Sequence, residues 1–101
     1  MEQAVSALRG LRARIPEAVL SQEVEEETVL LDLRGRQYYG LDRVGSHVWA
    51  LLRRGADAAE VVERLAQEYD APAERLCQDV GSFLEELASR GLVELVREDV
   101  T

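Results

Sequence analysis

Across residues 31–49 the hydrophobic period of the chain changes from about two residues to about 3.6, the repeats of a strand and a helix. Leu31-Asp32-Leu33 alternates as a strand does, and Gly35 supplies backbone freedom for a hairpin turn. Gln37-Tyr38-Tyr39-Gly40-Leu41 returns as a second strand. Asp42 is then placed to cap a helix that carries Val44, Val48, Leu51 and Leu52 on one stripe. A short, aromatic-rich strand of this kind at a sheet edge offers unpaired backbone groups, and a peptide can bind by pairing with them. The segment holds no legible catalytic apparatus, so binding is the function class to weigh first.

The flanking pattern extends the same fold. Residues 18–24 are a candidate strand, and Glu25-Glu26-Glu27 reads as a solvated turn. Residues 28–33 form a stronger strand, with Val29, Leu31 and Leu33 on one face and Leu30 and Asp32 on the other. The first helix ends before Gly55. Asp57 opens the second with Glu60 as its capping-box partner, and its stripe is Val61, Leu65 and Tyr69, flanked by Val62. Pro72 suits the first position of a third helix, which carries Leu76, Val80, Phe83, Leu84 and Leu87 and ends at Gly91. Residues 92–96 read as a last short strand. Residues 1–17 read as an N-terminal arm, either disordered or a short helix, because Val5, Leu8, Leu11 and Ile15 have rough helical spacing before Pro16. The expected organisation is this arm, a domain over residues 18–96 and a tail over residues 97–101. The fold class is α+β: a three-stranded antiparallel sheet joined to a winged helix-turn-helix-like unit of three helices.

Charge narrows the partners. The 101 residues include 20 acidic and 12 basic side chains, for a formal charge of −8. Such a surface repels phosphate, which argues against nucleic acid and anionic membrane and favours neutral or basic peptides and proteins. The would-be recognition helix of a DNA reader, residues 73–90, carries Glu74, Asp79, Glu85 and Glu86 against only Arg75 and Arg90. No apolar run is long enough to span a membrane, no signal-peptide core opens the chain, and the single Cys77 has no partner for a disulfide, so a cytoplasmic location is expected.

Catalysis needs groups that converge. His47 and Cys77 fall on different helices, with no third orienting group, and they are too few for a structural zinc site. Neighbouring carboxylates such as Glu85 and Glu86 point about 100° apart on a helix, so they form a solvated face and not an acid–base dyad. No glycine-rich phosphate loop is present. No catalytic residue, metal or cofactor is expected. Trp49 and Phe83 read as core. Of Tyr38 and Tyr39 only one can face inward: if Tyr39 and Leu41 pack on the core, Tyr38 and Gly40 look out.

The order Leu30-Leu31-Asp32-Leu33, Gln37-Tyr38-Tyr39-Gly40-Leu41-Asp42 and Val44-Gly45-x-x-Val48-Trp49-x-x-Leu52, followed by Asp79-Val80-x-x-Phe83-Leu84-x-x-Leu87-x-x-x-Gly91-Leu92-Val93, resembles the PqqD-like family. These are RiPP recognition elements, which bind the leader segment of ribosomally made precursor peptides. The variant here is most similar to the stand-alone proteins of lasso peptide clusters. The resemblance implies a precursor leader as ligand, bound as an added strand against the third strand and the third helix. It implies peptide-binding residues at Arg36, Gln37, Tyr38, Tyr39, Gly40 and Leu41 and at Leu76, Asp79, Val80 and Phe83. It further implies a leader peptidase and a lasso cyclase as partners. The alternatives are a PqqD-like peptide chaperone in pyrroloquinoline quinone synthesis or another such pathway, and a winged-helix transcriptional regulator.

Overall fold

The computed structural model describes residues 2–98. Strict alternation places β3 (Glu27–Asp32): Thr28, Leu30 and Asp32 are buried, while Val29 and Leu31 are only partly covered. It pairs antiparallel with β2 (Val19–Val24) on one side and β4 (Gln37–Leu41) on the other, giving a three-stranded sheet in the order β2-β3-β4. The helices are α1 (Glu2–Ala7), α2 (Arg43–Arg53), α3 (Ala58–Glu68) and α4 (Ala73–Ser89). Their apolar stripes meet the inner face of the sheet in one core, with Leu30, Trp49, Val61, Val62, Leu65, Leu84 and Leu92 almost fully enclosed.

Local chemistry fixes the helix starts. The Asp42 carboxylate accepts from the Gly45 amide at 2.8 Å, so α2 begins directly at the end of β4. Asp57 and Glu60 form the expected capping box at α3. Pro72 is the extended residue before α4 and not its first helical residue.

The N-terminal segment departs most from expectation. Only its first part is helical, and Leu11–Arg14 forms a strand, β1, that pairs antiparallel with β5 (Glu94–Arg97). Gly10 separates the two in the left-handed region at φ 84°, and its amide donates to Asp57 Oδ2 at 2.9 Å. The spacing of Val5, Leu8, Leu11 and Ile15 is therefore not that of one helix: Val5 lies in α1, Leu11 in β1, and Leu8 and Ile15 just past each, all four side chains reaching the same core. The terminal strand begins two residues later than expected, at Glu94 and extends through Arg97; residues 99–101 of the expected tail lie outside the described residues.

Asp57 thus ties α3 to Gly10. Burial opposes its ionisation, but the amides of Gly10 and Glu60 and the charges of Arg9 and Arg12 outweigh that and hold its pKa below the ordinary 3.8. Its stabilisation is fully present above that ordinary value and is lost as pH falls through the lower folded value. Asp57→Ala is expected to cost about 1–2 kcal/mol at pH 7. The gap from wild type should close in urea titrations below about pH 4.

The β3–β4 turn also differs. Arg36, at φ 54°, carries the left-handed position there, and Gly35 does not. Gly35 faces open space, its nearest neighbour for an added methyl being Gln37 Cγ at 3.9 Å. Arg36→Gly should raise stability by roughly 0.5–1 kcal/mol and Gly35→Ala should not lower it, both read from urea midpoints. What anchors this turn is Arg34, whose Nε and Nη2 hold Asp32 Oδ1 and Oδ2 at 2.9 and 3.1 Å while Nη2 also donates to the Gly91 carbonyl at 2.7 Å. The Arg34 bonds keep the Asp32 carboxyl below its ordinary pKa despite its burial.

Candidate functional site

β4 is an edge strand, hydrogen-bonded only to β3. In an antiparallel pair alternate residues turn their N–H and C=O away from the partner, so the outer side of β4 presents a row of donors and acceptors. Beside that edge a groove of about 600 Å³ runs between β4 and α4, with the start of α2 beneath it. Tyr38, Tyr39, Gly40 and Leu41 line one wall, and Leu76, Asp79, Val80 and Phe83 line the other.

Alternation decides the two tyrosines. Tyr38 is 72% exposed, whereas Tyr39 is half-buried against the core. The Tyr39 hydroxyl donates to Gln37 Oε1 at 2.6 Å, and the Arg90 guanidinium lies 5.5 Å from its ring centroid. That cation–π contact bridges the strand wall to the helix wall. On the helix side Arg90 also pairs with Glu86 at 3.2 Å.

Phe83 is half-buried, and its ring reaches across to α2. A methyl on Gly45 would sit 3.4 Å from Phe83 Cζ and 3.2 Å from Asp42 Oδ1. A glycine in the first turn of α2 thus lets the two helices close together under the groove. Phe83, expected in the core, instead presents part of its ring to the groove.

Eight of the ten residues expected to bind peptide converge here, and Arg36 and Gln37 do not line the groove. Arg36 sits in the turn, and Gln37 supports Tyr39. The sequence reasoning missed Val44, Gly45, Glu86 and Arg90 as groove residues. The signal for the last two was present: residues 76, 79, 80, 83, 86, 87 and 90 continue one helical face. The groove is mostly apolar, with Asp42, Asp79 and Glu86 against Arg90 as its charged lining.

His47 and Cys77 are occupied elsewhere. His47 Nδ1 lies 3.0 Å from Glu68 Oε2, and Cys77 is buried in the core, where burial pushes its thiol pKa up. Among the described residues no group of three or more His, Cys, Asp or Glu side chains could hold a metal ion, and no helix is long and apolar enough to cross a membrane.

No curated protein matches the chain. Among solved structures, TbiB1 in complex with the TbiA(beta) leader peptide is similar over 80% of this chain and 94% of that one, with 38% identity and a TM-score of 0.79. Lasso peptide synthetase B1 complexed with the leader peptide covers 84% of this chain and 98% of its own, at 22% identity and a TM-score of 0.74, a likeness of fold. The family model described as coenzyme PQQ synthesis protein D (PqqD) matches residues 27–93, the stretch that runs from the start of β3 to the residue before β5 and carries both walls of the groove; the chain belongs to the PqqD family.

Proposed function

We infer that this protein binds the leader segment of a ribosomally made precursor peptide in lasso peptide biosynthesis. It takes the peptide as an added strand on β4, with every other peptide side chain directed into the groove against α4. The observation that carries this is the juxtaposition of an unpaired strand edge with an apolar groove lined by Tyr39, Val80 and Phe83. TbiB1, 38% identical to this chain, was solved with a leader peptide. The protein is a binding partner and not a catalyst: it presents the precursor to a separate leader peptidase and to a cyclase, in the cytoplasm.

The energetics suit a recognition module. A hydrogen bond nets roughly 0.5–1.5 kcal/mol, so about five of them only offset the cost of ordering a flexible peptide. Apolar side chains supply the rest, at about 1.5–3 kcal/mol for each one fully buried. Backbone pairing tolerates many sequences, and the groove selects where the apolar side chains stand.

Fluorescence titration with a labelled precursor leader tests this. Saturable binding is expected well below about 100 μM, a free energy near −5.5 kcal/mol. N-methylation of the leader backbone should abolish binding at alternate amides only, the signature of one paired strand edge. No saturation, or no alternation, would overturn the reading. The family description raises pyrroloquinoline quinone synthesis as a second setting, and a parallel titration with that pathway's precursor peptide separates the two. The order α2, α3, α4, β5 is compatible with a winged helix, but the acidic surface of α4 disfavours duplex DNA.

A further inference from the structure

The two walls of the groove do not hold each other. α4 packs on α3, and the groove itself separates α4 from β4. The spacing of the walls is therefore set at the two ends. At one end Phe83 reaches across to Gly45 in the first turn of α2, a helix capped by the residue that follows β4.

At the other end two guanidinium groups cross in opposite directions. Arg34, from the β3–β4 turn, donates through Nη2 to the carbonyl of Gly91 at 2.7 Å. Gly91 leaves α4 in the left-handed region at φ 74°, so its carbonyl lies outside the hydrogen-bond ladder of the helix and takes its donor from a side chain. Arg90, the C-cap of α4, reaches the other way to the Tyr39 ring on β4. Arg34 is itself seated as a fork: Nε and Nη2 hold the two oxygens of Asp32, a residue only 8% exposed at the end of β3. The Arg34 amide also donates to Asp32 Oδ1 at 3.1 Å, so the turn keeps a bond of its own without the guanidinium. What the guanidinium adds is the bond that reaches α4.

We propose that Arg34 is a positioning residue for leader binding: seated on Asp32, it ties the end of α4 to the β3–β4 hairpin and so fixes the width of the groove before a peptide arrives. This rests on the leader-binding reading above. Arg34 does not itself line the groove, so it acts through the walls it holds. Width matters because dispersion contacts fall off steeply, and a gap of about 0.5–1 Å forfeits about a quarter to a half of each. A groove already at its bound width also removes the cost of ordering its walls when the peptide enters.

The test compares leader affinity in variants of the full chain, with stability followed in parallel by urea titration. Arg34→Met keeps most of the stem and removes every donor of the guanidinium. It is expected to weaken leader binding about tenfold, as when the competent width is occupied about one-tenth of the time. Asp32→Asn, which unseats Arg34 but leaves it the bond to Gly91, should act in the same direction and by less. Asp57→Ala is the control for lost stability alone: it removes a cap outside the groove and should leave affinity within about twofold. A double-mutant cycle separates positioning from simple support. In a Phe83→Ala background the loss from Arg34→Met should shrink to about threefold or less, because the wall that Arg34 places has lost its anchor. Amide exchange in the unliganded variant should quicken across β4 and residues 86–90, and not in α3. Unchanged affinity in folded Arg34→Met overturns the proposal, and so does an equal loss with and without Phe83, or an equal loss in Asp57→Ala. Failure of the wild-type protein to bind leader would instead bring down the groove reading, and the positioning role with it.

Discussion

Phe83→Ala is expected to weaken leader binding at least about thirtyfold, a loss of roughly 2 kcal/mol. Phe83 is the large aromatic on the helix wall of the groove, and its ring is only half-covered by the fold. Aromatic side chains at the centre of a groove bury large area for few frozen rotors, which makes them the usual anchors of a binding surface. Truncation removes that area and leaves the space over Gly45 unfilled. Because part of the ring also packs on α2, the variant will lose some stability, so binding must be measured where circular dichroism shows it folded. Affinity within threefold of wild type in folded Phe83→Ala would mean that the peptide lies elsewhere.

Trp49→Ala is expected to cost about 3–5 kcal/mol of stability, a large share of the roughly 5–15 kcal/mol that holds a domain together. Trp49 is 2% exposed and is the largest of the fully enclosed side chains. It lies on α2, the helix that underlies both the sheet and the groove. With a urea slope of about 1–3 kcal/mol per molar, the midpoint should fall by about 1–5 M. The indole Nε1 has no hydrogen-bond partner. Trp49→Phe therefore gives up packing without giving up a bond, and should cost clearly less than the alanine variant. Equal losses for the two would show that the ring edge, and not the bulk of the ring, holds α2 in place.

The site was legible where one element suffices to define it. β4, its edge and the stripe of α4 all follow from periods of two and 3.6 residues, and eight of the expected residues line one groove. Arg36 and Gln37 lie outside the groove lining because proximity along the strand is not proximity to the groove: the first residue turns the chain, and the second braces Tyr39. The β1–β5 pair was not legible. Leu11 and Ala13 fit a strand or a loose helix equally well over so short a segment, and the choice depends on a partner more than eighty residues away, as Ala13↔Leu95 shows.

The sequence alone determined the element types from residue 18 onward, the caps at Asp42 and Asp57, the acidic character and the alternation that makes Tyr38 and Tyr39 face opposite ways, because each is a matter of local spacing or composition. The tertiary structure decided which face of the sheet is buried, and so turned Tyr39 toward the core and Tyr38 outward, with both lining the strand wall of the groove. It also decided that Arg90 spans from helix to strand, that Gly45 lets Phe83 close over α2, and that the N-terminal segment completes the fold. These depend on contacts between residues far apart in the chain, and no local pattern encodes a long-range contact until both partners are in place.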